Sequence, residues 1–281
     1  MADGGATVIA ACVQMRSGVD RAQNTADALS LIRQAADEGA GFIATPEMTN
    51  QLDRDGKRFF ENAAPEEALE EKEAFAAVAA ERKVWLLIGS MAVRVGERRA
   101  ANRSFLFAPD GRCVARYDKI HMFDVDLPSG ERWQESSVYE AGGGAPVVRT
   151  PFGGVGLSIC YDVRFAPLYR KMAQAGAETL CVPAAFTRST GKAHWELLLR
   201  ARAVENGAFV IAPAQGGDHA DGRKTWGHSL IIGPWGDILA AAADDEPGVI
   251  LAEIDLEKAR EARRSIPNLA LEMPYEILNV E

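Results

Sequence analysis

The sequence lacks any run of about 18 apolar residues, so we expect no transmembrane helix. Its first stretch, MADGGATVIAACVQM, has no basic segment followed by a long apolar run, and we expect no secretory signal. Closely spaced cysteine pairs are also missing, because Cys12, Cys113, Cys160 and Cys181 lie far apart. These absences favour reduced thiols in a cytoplasmic compartment over a disulfide framework.

An excess of basic residues is missing as well. The chain has 31 Lys and Arg against 40 Asp and Glu, a formal net charge of −9. Nucleic acids and anionic membranes both need a basic footprint, so we expect neither as the main partner. An anionic small molecule stays possible, because a pocket can carry its own local charge.

The 281 residues contain no Pro/Ser-rich linker, low-complexity tract or shift in composition. Hydrophobic residues make up 47% and charged residues 25%, which is ordinary for a globular protein. We therefore expect one domain over residues 1–281. From about Ser265 onward the periodicity is weak, and we expect this extension to lie at a subunit interface.

Apolar runs and helical spacings alternate along the chain, which predicts an α/β protein with mixed sheets. A turn is predicted at Pro109-Asp110-Gly111 and a long loop at Gly130–Gly144. The predicted strands are Ala6–Val13, Gly41–Thr45, Val84–Val93, Ser104–Ala108, Cys113–Tyr117, Val155–Ile159, Thr179–Pro183, Phe209–Ala212, His228–Ile232 and Val249–Ile254. The predicted helices are Thr25–Glu38, Pro65–Arg82, Leu168–Ala175, Ala193–Glu205 and Leu256–Arg264.

Cys160 differs from the other three cysteines, which lie inside apolar strand patterns typical of small buried residues. It follows the buried run VGLSI and precedes a polar turn. Ligands of open α/β sheets bind beyond the carboxyl ends of strands, and a thiol at a strand-to-helix turn is favoured as thiolate by helix amides. By position alone, a nucleophile and a buried structural cysteine both stay open.

Glu47 and Lys119 also follow apolar strands. Glu47 in ATPEM is either a cap of the next segment or a desolvated general base. Lys119 in YDKIHMFDVD has apolar neighbours, so its ammonium is either solvated or held in a cleft. A fixed cation in a cleft would stabilise an oxyanion by about 3 kcal/mol.

Three motifs containing these residues resemble the catalytic blocks of the nitrilase superfamily of carbon–nitrogen hydrolases. They are TPEM around Glu47, YDKIHMFDVD around Lys119 and LSICYDVRF around Cys160. Their order matches, as does the spacing of 41 residues from Lys119 to Cys160. The similarity continues through residues 182–206 and 225–240 and therefore covers nearly the whole chain.

The resemblance implies a four-layer α-β-β-α sandwich with the site at strand ends between two sheets. It implies that Glu47 deprotonates Cys160, that Lys119 and the N–H of Tyr161 hold the oxyanion, and that a second glutamate, Glu135, orients the lysine. The product would form through a thioester with release of ammonia. The resemblance implies no metal or organic cofactor, and it implies a homodimer or higher homo-oligomer.

The detailed similarity is to the branch that contains omega-amidase and deaminated glutathione amidase, which act on carboxylate-bearing 2-oxo acid amides. The stretch at 212–229 favours the deaminated glutathione side, with omega-amidase, N-carbamoyl amino acid hydrolase and nitrilase as alternatives. Arg164 is expected to clamp a substrate carboxylate, unless it forms a structural ion pair with Asp162 or another acid. Phe186 and Thr190 are expected to line the pocket, although Phe186 also suits the core. Ala166-Pro167 replaces the usual Pro-Glu, and the C-terminal stretch lacks a basic run common in relatives.

Three competing interpretations stay open. A papain-like Cys–His enzyme would use one of the four histidines, which are His121, His194, His219 and His228. A zinc site is disfavoured, because His219 and His228 have no cysteine pair near them. A non-enzymatic binding protein on the same fold is disfavoured by the complete set of Glu47, Lys119, Glu135 and Cys160.

Overall fold

The computed structural model describes residues 7–127 and 130–279, which form six α-helices, seventeen strands and three short 3-10 helices. The α-helices are α1 (Arg21–Asp37), α2 (Gly56–Asn62), α3 (Glu70–Arg82), α4 (Ala166–Gln174), α5 (Arg188–Asn206) and α6 (Leu256–Ser265). The strands are β1 (Thr7–Gln14), β2 (Phe42–Ala44), β3 (Trp85–Gly96), β4 (Arg99–Phe107), β5 (Cys113–Asp118), β6 (Asp124–Asp126), β7 (Arg132–Gln134), β8 (Tyr139–Glu140), β9 (Val147–Thr150), β10 (Gly153–Leu157), β11 (Ala177–Cys181), β12 (Phe209–Ala212), β13 (Gly216–Asp218), β14 (Lys224–Trp226), β15 (Leu230–Ile232), β16 (Ile238–Ala241) and β17 (Gly248–Asp255). The 3-10 helices are Glu66–Ala68, Glu135–Ser137 and Cys160–Arg164.

Two large sheets contain most of these strands. A seven-stranded sheet has the order β17-β1-β2-β3-β4-β5, with β8 also paired to β4. A six-stranded sheet has the order β16-β15-β12-β11-β10-β9. Both sheets are mixed: β1, β2 and β3 are parallel, as are β10, β11 and β12, while their outer neighbours are antiparallel. Two small ribbons, β6-β7 and β13-β14, complete the described pairing.

The alternation of side chains along β1 shows how the layers stack. Ala10 and Cys12 join the core cluster that spans both large sheets. Ala11 and Val13, which point to the opposite face, pack in a second cluster with residues of α1 and α3. The outer face of the six-stranded sheet is covered by α4 and α5, through Tyr169, Trp195 and other apolar side chains. The layers are therefore helix, sheet, sheet and helix, which confirms the predicted four-layer α/β fold.

Several predicted boundaries are wrong for local reasons. The loop predicted at Gly130–Gly144 contains β7, a 3-10 helix and β8, because runs of two or three residues pair with β6 and β4. The helix predicted over Pro65–Arg82 is interrupted at Leu69, whose backbone is extended with φ −82° and ψ 94°. The strand predicted from Ala6 begins at Thr7 within the described residues, and Ala6 lies outside them.

The helix predicted from Ala193 begins five residues earlier, at Arg188, because the Thr187 hydroxyl accepts from the N–H of Thr190 and caps α5. Sequence periodicity did not predict α2, β6, β9, β13, β14 and β16. The turn predicted at Pro109-Asp110-Gly111 is present, with Gly111 at φ +83° and its N–H donating to Ala108 O.

The segment that follows α6 turns at Pro267, whose carbonyl accepts from Ala270 and Leu271, and is then irregular and largely exposed through Asn279. Apolar side chains in it, including Leu271, Met273, Tyr275 and Ile277, are 66–82% exposed. The segment is tied back to α4 where Arg170 pairs with Glu272 at 3.0 Å. Within residues 7–127 and 130–279, no helix combines the length and apolar character that crossing a membrane requires.

Candidate active site

Cys160 lies where the chain leaves β10 and turns into a 3-10 helix. Its φ is +49°, a left-handed conformation that non-glycine residues adopt only when the surroundings enforce it. Two hydrogen bonds do so here: the Cys160 N–H donates to Pro183 O at 2.9 Å, and the Ile159 N–H donates to the Asp162 carboxylate at 2.8 Å. Asp162 is itself fixed by the Tyr117 hydroxyl at 2.6 Å. The turn thus holds the thiol at the carboxyl end of a central strand.

Glu47 lies beyond the end of β2, in the other sheet, and is 5% exposed. Its backbone oxygen accepts from the side-chain amide of Gln215 at 3.0 Å. One carboxylate oxygen, Oε2, accepts from the N–H of Ala185 at 2.8 Å. The other, Oε1, accepts from Lys119 at 2.9 Å and from Asn102 at 2.8 Å. Glu47 is therefore held by neighbours from both halves of the sandwich.

The ammonium of Lys119 is 2% exposed and lies between two carboxylates. Nζ contacts Glu47 Oε1 at 2.9 Å and the two oxygens of Glu135 at 2.9 and 2.8 Å. The backbone of Lys119 is anchored as well, since its N–H donates to Asn102 O and its carbonyl accepts from Gly142. A Cβ at Gly142 would lie 2.1 Å from Asp118 O, so this close approach requires glycine. The lysine has little freedom to leave the two carboxylates.

The charges of this cluster determine where its protons reside. Burial, the largest influence, would raise the pKa of Glu47, but the Lys119 ammonium together with hydrogen bonds from Cys160 and Asn102 leaves that pKa lowered. Burial raises the pKa of the Cys160 thiol well above its usual value, and the nearby Glu47 carboxylate raises it further. Although burial opposes it, the carboxylates of Glu135 and Glu47 raise the pKa of Lys119. At neutral pH the resting site therefore contains a neutral thiol beside an ionised carboxylate and a charged ammonium.

Asn102 is the member of this cluster that the sequence did not reveal. It lies in the middle of β4, is fully buried, and its Nδ2 donates to Glu47 Oε1 at 2.8 Å and to Glu135 Oε1 at 3.2 Å. Lys119 and the Asn102 amide thus each contact the carboxylates of both Glu47 and Glu135. In the sequence RAANRSF an isolated asparagine carries no signal, because a strand with one solvated face contains polar residues at the same spacing.

A cavity of about 660 Å³ opens onto the four residues Glu47, Lys119, Glu135 and Cys160. Three of the residues expected to contact substrate line it, namely Tyr161, Phe186 and Thr190. The lining also includes charged and aromatic residues that sequence reasoning did not single out: Asp53, Arg54, Glu131, Arg132, Trp133, Tyr139, Arg223 and Lys224. The structure therefore brings seven of the eight expected site residues to one cavity.

Arg164 is the eighth, and it is not among the described lining residues. Its guanidinium packs 5.4 Å from the ring centroid of Phe186 and 5.9 Å from that of Tyr161, and its Nη2 lies 3.3 Å from His194. Asp162, the ion-pair partner weighed in the sequence, instead accepts from Tyr117, His121 and Ile159. Arg164 thus contacts two of the aromatic rings that line the cavity.

The histidines occupy other positions. His121 contacts Asp162 at 2.7 Å and stacks on Phe165, His219 bonds Ser17 O and Thr225, and His228 bonds Trp226 O. None of the four is among the described residues that line the cavity. Nor do the described parts of the chain contain a group of three or more His, Cys, Asp or Glu arranged to hold a metal. The geometry thus gives no support to a Cys–His pair or a zinc site.

Comparisons with known proteins agree with this arrangement. The sequence model of the carbon-nitrogen hydrolase family matches residues 9–264. Deaminated glutathione amidase of Synechocystis sp. is 43% identical over 93% of this chain and 96% of its own. Omega-amidase NIT2 of Homo sapiens is 37% identical over 92% of each chain. The crystal structure of the C. elegans NitFhit protein superposes with a TM-score of 0.89 at 34% identity, over 96% of this chain and 66% of that longer one.

Proposed function

The chain belongs to the carbon-nitrogen hydrolase family and is a hydrolase of non-peptide carbon–nitrogen bonds, and from that premise we propose that it is a deaminated glutathione amidase-like enzyme. Its substrate is a small 2-oxo acid that carries a carboxylate and an amide, which it hydrolyses to a carboxylic acid and the amine of that amide: cysteinylglycine from deaminated glutathione, ammonia from a primary amide. The observation that carries this proposal is the buried Lys119 ammonium, held between Glu47 and Glu135 in the cavity that Cys160 lines. The 43% identity to an amidase of that name supports the choice of substrate.

The first half of the reaction forms a thioester. Glu47 takes the proton of the Cys160 thiol as its sulfur attacks the amide carbon, because the raised pKa of the buried thiol keeps that proton in place until then. The carbonyl oxygen becomes an oxyanion, held by the Lys119 ammonium and by the N–H of Tyr161, in the first turn of the 3-10 helix. Glu47 then gives the proton to the leaving nitrogen, and the carbon–nitrogen bond breaks to release the amine, which is ammonia where the amide is primary.

The second half regenerates the thiol. A water molecule enters as the amine leaves, and Glu47 takes a proton of that water while its oxygen attacks the thioester carbon. The same two groups stabilise the second oxyanion. The carbon–sulfur bond breaks, the sulfur recovers the proton through Glu47, and the carboxylic acid is released. Glu135 holds Lys119 in place and keeps it charged throughout.

Omega-amidase activity is the second candidate, since the human omega-amidase matches 92% of this chain. The chemistry at Cys160 is the same, and only the length of the acid that the cavity accepts differs. Nitriles and N-carbamoyl amino acids share the first attack on carbon and serve as the remaining substrate classes to be compared.

Two product-release assays test this proposal. Ammonia is measured from α-ketoglutaramate, simple nitriles and N-carbamoyl amino acids, and cysteinylglycine is measured from deaminated glutathione, whose amide nitrogen belongs to that dipeptide. Each substrate is assayed with wild type, Cys160→Ala and a matched buried control, Cys181→Ala. We expect release from the two 2-oxo acid amides, no release by Cys160→Ala, and activity in Cys181→Ala. Activity that survives in Cys160→Ala, or that is lost in His121→Ala while Lys119→Met retains it, would refute the assignment.

We also propose that the protein is a single domain that forms a homodimer in a cytoplasmic compartment. Leu197 and Val204 on α5 are 68% and 52% exposed, and the neighbouring Trp235 and Ile238 are 57% and 41% exposed. Apolar side chains at this density on one face favour contact with a second copy. The exposed segment from Ser265 onward supports a further contact there. All four cysteines are free, in keeping with a reducing compartment.

A further inference from the structure

The turn that carries Glu47 is held by the side chain of Gln215. Met48, the next residue, has φ +56°, a left-handed conformation that a non-glycine residue adopts only when its surroundings enforce it. The Nε2 of Gln215 donates to the carbonyl oxygen of Glu47 at 3.0 Å and to that of Met48 at 3.2 Å. The Met48 N–H donates to the Ser90 hydroxyl at 2.9 Å. One buried amide therefore binds two successive carbonyls of the turn.

Ser17 fixes the direction of that amide. Its N–H donates to Oε1 of Gln215 at 2.9 Å, and its hydroxyl oxygen accepts from Nε2 at 2.8 Å. The same hydroxyl donates to Thr49 O at 3.1 Å. Because Oε1 must face an N–H, the donor side of the amide faces the turn. Gln215 is fully buried, so bulk water does not compete for these hydrogen bonds.

The backbone of Gln215 acts on the carboxylate end of the same glutamate. Its N–H donates to Ala184 O at 2.8 Å, and the N–H of the following residue, Ala185, donates to Glu47 Oε2 at 2.8 Å. One residue before Ala184, a carbonyl of the same segment accepts the Cys160 N–H at 2.9 Å. Gln215 thus fixes the main chain of Glu47 directly and its carboxylate through one short segment, which also binds the nucleophile.

We propose that Gln215 is a positioning residue that orients the Glu47 carboxylate toward the Cys160 thiol. The inference rests on the proposed function, since it concerns the base of that reaction. Gln215 follows β12 of the six-stranded sheet, which also carries the nucleophile, whereas Glu47 follows β2 of the seven-stranded sheet. Its hydrogen bonds therefore fix the base of one sheet relative to the nucleophile of the other. A displacement of about 1 Å in such a pair reduces the rate by about 100-fold.

Gln14 provides a matched control, because it makes hydrogen bonds of the same kinds elsewhere. It is 2% exposed, and its Nε2 donates to Asp244 O at 2.7 Å and to Glu246 O at 2.8 Å. Its Oε1 accepts from the N–H and the hydroxyl of Ser229, both at 2.9 Å. Replacing either glutamine with methionine keeps the side-chain length and removes these bonds. Both variants should therefore be less stable than wild type, and only Gln215→Met should impair proton transfer.

The experiment measures ammonia release from α-ketoglutaramate and alkylation of Cys160 by iodoacetamide. Gln215→Met should lower kcat about 10- to 100-fold with KM nearly unchanged, because Gln215 is not among the described residues that line the cavity. Alkylation, which also requires transfer of the thiol proton to Glu47, should slow in the same variant. Gln14→Met should retain the kcat, KM and alkylation rate of wild type. In a Glu47→Gln background, Gln215→Met should not slow alkylation further, since its effect acts through Glu47.

Ser17→Ala decides the question if Gln215→Met does not fold. This variant keeps the N–H that binds Oε1 and removes one neutral hydrogen bond of Nε2, so kcat should fall about 2- to 10-fold. An unchanged kcat in the folded variant, an equal loss in Gln14→Met, or independent effects of Gln215→Met and Glu47→Gln would overturn the inference and leave the proposed function intact. Wild type that releases no product from any amide would refute the proposed function, and the role of Gln215 with it.

Discussion

Removing the side-chain amide of Asn102 should change both the stability of the protein and the pH dependence of its activity. In Asn102→Ala, Glu47 and Glu135 each lose one donor, at 2.8 and 3.2 Å. A hydrogen bond to a charged group contributes about 1.5–3 kcal/mol. The buried Oδ1 of Asn102 has no partner among the described residues, and its removal returns about 1–3 kcal/mol. The variant should therefore lose roughly 2 kcal/mol of unfolding free energy.

The pH profile distinguishes a positioning role from a purely structural one. Burial raises the pKa of Glu47, Lys119 lowers it most strongly, and the bond from Asn102 lowers it further. Glu47 must be ionised to take the thiol proton, so activity is lost as pH falls through its folded pKa. Without Asn102 that pKa rises, and the acid limb of kcat/KM should move to higher pH. A small displacement of the base should also reduce kcat by roughly ten- to a hundredfold.

Asn206→Ala is the matched control. Asn206 is also fully buried, its Nδ2 donates to Arg202 O at 2.9 Å, and its Oδ1 likewise has no partner among the described residues. The Asn206→Ala variant should have a lower free energy of unfolding than wild type and an unchanged pH profile of kcat/KM. Denaturant unfolding and ammonia release measured across pH provide the comparison. If Asn102→Ala matches Asn206→Ala in both assays, Asn102 has no part in positioning Glu47.

Three further results are expected. Lys119→Met leaves the buried carboxylates of Glu47 and Glu135 without a cation, so the free energy of unfolding should fall by about 3–5 kcal/mol at neutral pH and recover as acid protonates the carboxylates. The variant should also release no ammonia, and retained activity would contradict the role of the ammonium. Arg116 and Lys72 outweigh burial and lower the pKa of Glu66 to about 2. Glu66→Gln should therefore be less stable than wild type at pH 7 in thermal unfolding, and this difference should shrink as the pH falls from 4.5 to about 2. A difference that does not change with pH would argue against the ion pairs of Glu66. Leu197→Glu should shift the protein to monomer in sedimentation measurements without changing its fold, and an unaltered mass would exclude α5 from the interface.

The sequence was informative at the reactive residues that directly follow predicted strands. Glu47, Lys119 and Cys160 each come after an apolar run, and strand ends meet at one edge in an α/β sandwich. The separations along the chain are then irrelevant, since topology brings the three residues together. Position alone left their roles open, and the resemblance of the three motifs to the nitrilase superfamily implied both the four layers and the residues around the thiol.

The cavity residues that the sequence did not reveal were missed for a different physical reason. Arg54 lies in the charged stretch QLDRDGKR, where a solvated loop is the ordinary reading, and Trp133, whose ring it contacts, is 79 residues away in a predicted loop. The short strands β6 and β7, which carry that indole, are held by cross-strand pairing rather than by local periodicity. Arg164 is four residues from Cys160, and its guanidinium contacts the rings of Tyr161 and Phe186 without being among the described residues that line the cavity. Its role as a carboxylate clamp stays a prediction.

Asn102→Asp decides whether the site needs the donor or only the shape of this side chain. The substitution keeps the size but adds a third carboxylate beside Glu47 and Glu135, and in the described part of the chain Lys119 is the one cation that contacts both. Like charges in one buried site cannot all ionise, so the cluster should retain an extra proton with a raised apparent pKa that belongs to the group as a whole. While that proton is bound, the protonated Asp can still donate to a neighbouring carboxylate; as pH rises through the raised pKa, the proton leaves and repulsion disrupts the site. Ammonia release by Asn102→Asp should therefore fall on the alkaline side at a lower pH than in wild type. A profile identical to that of wild type would mean that Asn102 acts only as a spacer, and that Lys119 alone holds the two carboxylates together.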